Sequence, residues 1–439
     1  MNIILLSGGS GKRLWPLSND IRSKQFIKIF KKEDGSYESM VQRVYRQIKS
    51  VDSGASVTIA TSKTQVSSIH NQLGEGVGIS VEPCRRDTFP AIALSTAYLH
   101  YRMNVSLDEA VVVCPVDPYV EKEYFEALKE LWKLASEDTA NLVLMGIDPT
   151  YPSEKYGYIM PESLDKVSKV KEFKEKPDAV KAAEYIANGG LWNGGVFAYK
   201  LGYVLKRAHE LIDFTDYDDL YAKYADLKKI SFDYAVVEHE SDIAVLRYKG
   251  EWKDLGTWNT LTEAMEDSSV GDARLNDNCE NVHIVNELGV PILVMGGKDL
   301  IVAASAEGIL VSDKEQSSYI KPYVDEIDQQ VMFAEKSWGS YRVIDISDDS
   351  LTIKVTLNPG SRMHYHSHER RDEVWTVIAG KGCCIIDGAK KDIAPGDVIS
   401  MKANCKHTVI AGDEQLKLIE VQMGKDIDVS DKIKWDLDE

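Results

Sequence analysis

The feature that most constrains the fold is a change in apolar periodicity part-way along the chain. Through residues 1 to about 260, short apolar runs alternate with stretches whose apolar residues recur at helical spacing, as in a doubly wound α/β sheet flanked by helices. The candidate strands are Ile3–Ser7, Val57–Thr61, Ile79–Glu82, Val111–Val116 and Leu142–Gly146. Thr88–Met103 and Tyr119–Ser136 carry helical spacing, the second with Phe125, Leu128, Leu131, Trp132 and Leu134 near one face. From about Asp272 to Tyr323 the runs shorten to VHIVN, VPILVMG, LIVAAS and GILVSD, separated by Gly and Asp, which predicts a small β unit. From Met332 onward YRVID, LTIKVTL, VWTVIAG, CCIIDG, DVISMK and LKLIEVQ alternate, with Pro-Gly turns at 359–360 and 395–396; this predicts a β-barrel. The expected division is 1–262, 263–330 and 331–439, in keeping with a length of 439 residues.

A net charge of −18 argues against a nucleic-acid binder, which needs clustered Lys and Arg for the phosphate backbone. The six cysteines lack the spacings of a zinc ribbon or a disulfide framework and read as reduced thiols. Neither a basic leader nor an apolar run of membrane-spanning length stands out, so a cytoplasmic location without membrane contact is expected. The chain is compatible with a homo-oligomer.

The opening MNIILLSGGSGKRLWPLS contains a glycine-rich loop where a strand meets a helix start, the place where open α/β sheets bind ligands. It is not an ATPase phosphate loop: Leu6 stands where the first Gly belongs, and Arg13 replaces the hydroxyl that would hold magnesium. The dinucleotide pattern fails at Leu14. Small residues followed by Lys12, Arg13 and Lys24 can still cradle phosphate oxygens, the glycines admitting main-chain N–H groups and the cations offsetting charge. An ordinary turn with solvated cations is the plainer alternative.

LSGGSGKRLWPLS together with SKQF resembles the signature of sugar-1-phosphate nucleotidylyltransferases, especially the mannose-1-phosphate guanylyltransferases. EPCRRDTFPAIAL, VCPVDPYV, GIDPTYPSEKYGYI, EFKEKP, LWNGGVF, SFDYAVVE and WKDLGTW follow in that family's order. The resemblance implies a sugar phosphate attacking the α-phosphorus of a nucleoside triphosphate. It places Leu6, Gly8, Gly9, Gly11, Lys12, Arg13, Glu82, Arg86, Asp87 and Asp117 on the nucleotide, and Gly157, Tyr158, Glu175, Lys176 and Asn193 on the sugar phosphate. Arg13, Lys24, Lys176 and Asp117 carry catalysis, and Asp117 and Asp254 hold Mg2+. The sequence departs from the family at Lys12, Ser23, Asp87, Pro118 and Gly194; Asp87 falls where the base is read and Pro118 beside the metal.

PGSRMHYHSHERRDEVWTVIAG and PGDVISMKANCKH resemble the two motifs of the cupin family. Strand alternation puts His364, His366 and His368 on one face, where with Glu373 and His407 they can converge on a divalent metal; Zn, Mn, Fe and Ni all suit the set. A metal-free polar interior is the alternative. A cupin behind such a transferase is similar to the bifunctional mannose-6-phosphate isomerase and guanylyltransferase enzymes, although His364 replaces a Gln, two extra residues precede Glu373, and Val374 replaces a His. The leading expectation is therefore a transferase making GDP-mannose from GTP and mannose 1-phosphate, for polysaccharide assembly, with a metal-binding cupin and an isomerase activity that the cupin would carry. Two others stand beside it: transfer to a different sugar or polyol phosphate from CTP or UTP, and a sugar-binding or regulatory module.

Overall fold

The computed structural model describes residues 1–8, 11–19, 21–327, 331–425, 427 and 431–437. The chain divides into two compact units, one of residues 1–14, 23–66 and 73–268, the other of residues 15–22, 67–72 and 269–439.

In the first unit nine strands form one mixed sheet, in the order Gly78–Glu82, Ser56–Ser62, Asn2–Leu6, Ala110–Pro115, Leu191–Lys200, Leu142–Ile147, Ile243–Tyr248, Val167–Lys174 and Tyr158–Pro161. The first four run parallel, and Leu191–Lys200 runs against both its neighbours. Continuous apolar runs such as Ile3–Leu5 and Val111–Val113 are fully buried, because helices cover both faces of the sheet. All five strands expected from the sequence are present, with ends shifted by a residue or so. The predicted helix at Thr88 is α-helical through Thr88–Ala97 and then widens into a π turn, Tyr98–Arg102. The other predicted helix begins only at Lys122. Tyr119 and Val120 instead belong to a short strand, Pro118–Val120, which pairs with Trp252–Asp254.

The second unit begins its main run with a small coil of parallel strands. His283–Asn286 lies between Ser269–Val270 and Leu300–Ser305, and Ala273–Leu275 pairs with Ile292–Val294. Only Gly308–Asp313 joins it antiparallel. Segment Trp15–Arg22 belongs to this unit: Arg22 grips Glu287 through a two-pronged pair at 2.7 and 2.8 Å, and Ser305 Oγ donates to Pro16 O at 2.7 Å.

The barrel follows as two facing sheets. One orders Phe333–Lys336, Gly339–Ile346, Ser350–Leu357, Leu416–Gly424, Arg371–Ala379 and Val398–Met401. The other orders Ala389–Ile393, Gly382–Ile386, His407–Ala411, His366–His368 and Lys432–Lys434. Val355, Leu357, Trp375, Cys384, Val409, Leu416 and Leu418 pack its core at 0 % exposure. The six cysteines are free thiols. Among the described residues no helix is long and apolar enough to cross a membrane.

Candidate functional site

Strands Asn2–Leu6 and Ala110–Pro115 end side by side, Leu6 opposite Pro115, so the glycine loop and Asp117 leave the sheet at the same edge. Gly8 is exposed, and a Cβ there would meet nothing within 4 Å; its surroundings are open to an incoming group. Gly9 lies outside the described residues. Gly11, Lys12 and Arg13 open the short 3-10 turn Gly11–Leu14, with Arg13 exposed.

Asp117 and Asp254, distant in sequence, are joined by the pairing of Pro118–Val120 with Trp252–Asp254, which sets Asp254 opposite Pro118. Lys24 Nζ stands between the two carboxylates, 2.9 Å from Asp117 Oδ2 and 3.9 Å from Asp254 Oδ1, and donates to Leu255 O at 3.3 Å. Its position is set from below. Ser23 and Gln25, on either side of it, are 1 % and 2 % exposed. Gln65 Nε2 donates to Ser23 Oγ at 2.6 Å, Gln25 Nε2 to Ser7 Oγ at 2.9 Å, and Thr61 Oγ1 to Gln65 Oε1 at 2.9 Å. This buried network ties the Lys24 turn to the start of the glycine loop. The neighbouring strand is held in turn by Arg43, whose Nη1 donates to Val120 O at 2.9 Å while its guanidinium lies 4.5 Å from the Tyr119 ring centre. Burial raises the Asp254 carboxyl; the charges of Lys24 and Arg13 oppose the rise and that of Asp117 adds to it. The two carboxylates, brought to one place, are a hard-oxygen donor set that fits Mg2+, and Lys24, which pairs with Asp117 here, would yield that contact to the ion.

The same carboxylates line a cavity of about 230 Å³ together with Lys155, Tyr156, Gly157, Glu175, Asn193, Asp233 and Trp252. Glu175 Oε1 pairs with Lys176 Nζ at 2.8 Å, while its buried Oε2 has no hydrogen-bond partner among the described residues. A Cβ at position 157 would lie 2.4 Å from that oxygen, so the glycine makes room for the carboxylate. Asn193 Nδ2 donates to Asp233 Oδ1 at 2.6 Å, and its Oδ1 accepts from Gly195 N at 3.1 Å. Lys176 stands beside the cavity on a left-handed backbone, φ +44°, and its ammonium is raised by the hydrogen bond to Glu175.

Asp233 is a site residue that sequence reasoning missed, although its segment SFDYAVVE was among those that carry the resemblance. Burial and the adjacent Glu175 charge push its carboxyl up to about 6. Tyr158, expected on the sugar phosphate, faces the other way. Strand alternation sends its ring into the core, where its hydroxyl accepts from Ser153 N at 2.9 Å and Trp192 Nε1 at 3.1 Å. Tyr156 lines the cavity instead, edge-on to Trp252 with ring centres 5.4 Å apart.

Glu82 closes the edge strand Gly78–Glu82 at the end of the sheet where Leu6 and Pro115 also finish. Tyr224 Oη donates to it at 2.7 Å, and burial raises its carboxyl. Arg86 reaches Ala225 O. Asp87, at φ +72°, caps the helix Thr88–Ala97 by accepting from Thr88 N at 2.8 Å.

In the barrel, the ring nitrogens of buried His366, His368 and His407 come within 4.8 Å of one another. Each Nδ1 faces a main-chain oxygen, of His364 at 2.6 Å, Asp431 at 3.1 Å and Cys405 at 3.0 Å respectively. A proton on each Nδ1 leaves the Nε2 lone pairs turned inward. Glu373 closes the group, Oε1 3.0 Å from His368 Nε2 and Oε2 3.2 Å from His407 Nε2. The last two atoms are buried and make no hydrogen bond among the described residues. Two buried acceptors set against each other fit a divalent metal between them. His364, expected among the ligands, is not one of the gathered imidazoles: the strand starts only at His366, so alternation does not reach back to it, and its exposed side chain lines the cavity mouth. That cavity, about 900 Å³, is walled by Trp338, Tyr341, Leu351, Ile353, His366, His368, Arg371, Glu420 and Lys432, among others.

A mixed sheet ending in a glycine loop and paired carboxylates defines a nucleotidyl-transfer domain, and the two-sheet barrel with its histidine cluster defines a cupin. Residues 2–269 match the family described as Nucleotidyl transferase and residues 353–422 the Cupin domain family. The chain belongs to the nucleotidyl transferase family. It is 28% identical to the mannose-1-phosphate guanylyltransferase ManC of Salmonella typhimurium LT2, over 99% of this chain and 97% of that one. It is also 28% identical to the xanthan biosynthesis protein XanB of Xanthomonas campestris pv. campestris B100, with coverage of 99% and 97%. A crystal structure described as a mannose-1-phosphate geranyltransferase from Thermus thermophilus superposes with a TM-score of 0.60 at 27% identity, covering 74% of this chain and 98% of that one.

Proposed function

We propose that the protein transfers the guanylyl group of GTP to mannose 1-phosphate, releasing pyrophosphate and giving GDP-mannose for polysaccharide assembly. The observation that carries the reading is the cavity itself: Asp117 and Asp254, with Lys24 between them, share one space with Glu175, Asn193 and Asp233. The first set suits a triphosphate and its counter-cation, the second a polyhydroxyl ring.

A phosphate oxygen of the sugar forms the new bond to the α-phosphorus as the bond to the β-phosphate oxygen breaks, and pyrophosphate leaves. No protein nucleophile is needed, so the chain's work is alignment and charge neutralisation. Gly8 admits the phosphates to the main chain, while Arg13 and Lys24 offset charge on the leaving group. Lys176 meets the sugar's phosphate, and Glu175, Asn193 and Asp233 accept and donate hydrogen bonds to its hydroxyls. Asp117 and Asp254 would hold Mg2+, which when bound supplies further charge neutralisation at the phosphates. Glu82, Arg86 and Asp87 stand at the same sheet end for the ribose and base. We assign this chemistry to residues 1–262 and the metal chemistry of the cupin to residues 331–439, joined by residues 263–330.

A second activity, mannose-6-phosphate isomerisation in the cupin, is supported by the histidine cluster and by Lys336, Arg371, Lys432 and Lys434 around its cavity. His366, His368, His407 and Glu373 would hold a divalent transition metal, with Zn, Mn, Fe and Ni all compatible.

The test is a panel of four nucleoside triphosphates against several sugar 1-phosphates, scored by pyrophosphate release. GTP with mannose 1-phosphate should be fastest, and Lys24→Met should lower kcat by roughly a hundredfold. Release confined to CTP or UTP would transfer the assignment to another product, and no release from any pairing would leave a binding module. Fructose 6-phosphate formation from mannose 6-phosphate reads the cupin.

A further inference from the structure

Alternation along Arg371–Ala379 sends Arg371, Glu373, Trp375 and Val377 to the buried face, at 7, 1, 0 and 1 % exposure. An arginine therefore stands beside the cluster's carboxylate, two residues away on the same side of the strand. Its Nη2 lies 3.2 Å from His368 Nε2, and its Nε lies 3.4 Å from Glu373 Oε1. Those two acceptor atoms are themselves 3.0 Å apart. A guanidinium only donates, so His368 Nε2 is the acceptor and Nδ1 carries the proton, in agreement with its 3.1 Å approach to Asp431 O.

Arg371 therefore engages the His368 Nε2 lone pair, which a divalent ion in this cluster would take, and one of the two Glu373 oxygens, leaving Oε2 and His407 Nε2 untouched. From these distances we propose that Arg371 is a cation built into the cupin centre, competing with a divalent metal for His368 Nε2 and Glu373 Oε1, so that the metal gains those two ligand atoms only as the guanidinium withdraws. A lone pair committed to an N–H is not available to a metal, and a fixed positive charge within hydrogen-bond reach of the ligand atoms repels a second cation. The buried Asp431 carboxylate already pairs with this guanidinium, its Oδ2 3.7 Å from Nη1, and would keep hold of it on withdrawal. The inference rests on reading the histidine cluster as a metal centre.

The experiment titrates the full-length, chelator-stripped protein with Zn2+ and with Co2+ alone. Affinity is read by competition with a chromophoric chelator, and site occupancy by the visible absorption of bound Co2+. His366→Ala identifies the component that belongs to the cupin, separating it from ions taken at Asp117 and Asp254. Arg371→Gln should tighten that component at least tenfold over the parent, and Arg371→Lys, which keeps the charge but loses the planar fork, should fall between them. Near-UV circular dichroism checks that each variant is folded, and Arg371→Met substitutes for Arg371→Gln should the latter fail to fold. Affinity that is unchanged or weaker without the guanidinium overturns the proposal. Metal binding that survives His366→Ala undiminished overturns the metal centre, and the proposal with it.

Discussion

The residue with the most conflicting demands is Asp233. Its carboxyl is pushed up to about 6 by burial and by Glu175, which means that the fold favours the protonated form. As pH rises from about 4 through about 6, the unfolded chain ionises this group freely while the folded chain holds its proton, so stability falls over that window and stays lower above it; below it, both states are protonated and the effect vanishes. Asp233→Asn should therefore be more stable than the parent above pH 6, by about 1–2 kcal/mol once partial exposure is allowed for, with the gap closing near pH 4. The same variant should raise KM for the sugar phosphate about tenfold and leave KM for the triphosphate unchanged, since it loses one charged acceptor in the cavity. Thermal melts across pH and initial-rate kinetics check the two halves, and a variant that is less stable at neutral pH would contradict the first. Stability given up at a carboxyl that lines the cavity is what the proposed substrate contact would lead one to expect. A lone Asp inside SFDYAVVE gives no local sign of its partner; the hydrogen bond from Asn193, across 40 positions, and the cavity it lines show where it points.

At the level of elements, the groups assigned to the triphosphate and its counter-cation are carried by short pieces that have little stability of their own. The Lys24 turn is three residues long, and so are Pro118–Val120 and Trp252–Asp254. The Lys24 turn is held by Gln65, whose amide and carbonyl connect Ser23 and Thr61, and the two strands by their pairing and by Arg43. Gln65→Leu should cost about 1–3 kcal/mol in urea unfolding, because it strands buried hydroxyls, and should lower kcat as Lys24 loses its fixed position. A loss of stability with kcat intact would show that the network supports the fold alone. Long elements were legible from periodicity, since a strand such as Val111–Val113 announces itself by burial on both faces. Tyr119 and Val120 were not: their apolar character continues the helical pattern that follows, and the competing strand partner lies more than a hundred residues away. The His366–His368 strand is likewise too short to declare where alternation begins, so the sequence alone does not separate His364 from its neighbours.

For the whole molecule, the two units carry donor sets of different chemistry, oxygen at Asp117 and Asp254, mainly nitrogen at His366, His368 and His407. Stripping the protein with a chelator and restoring Mg2+ alone should recover pyrophosphate release while leaving fructose 6-phosphate formation absent until a transition metal is supplied. Recovery of both by Mg2+ would mean that the cupin centre is not a nitrogen-ligand site. The sequence by itself determined the order of architectures, sheet, coil and barrel, because hydrophobic period is a local property written into every few residues. It also supplied the residue types for both centres through ordered motifs. Tertiary structure decided which of them meet: it set Lys24 between two aspartates, brought in Asp233, turned Tyr158 away, left His364 outside and set Arg371 against His368 and Glu373. Those outcomes depend on register and on burial between distant segments, and no local pattern encodes a distance between side chains that only folding brings together.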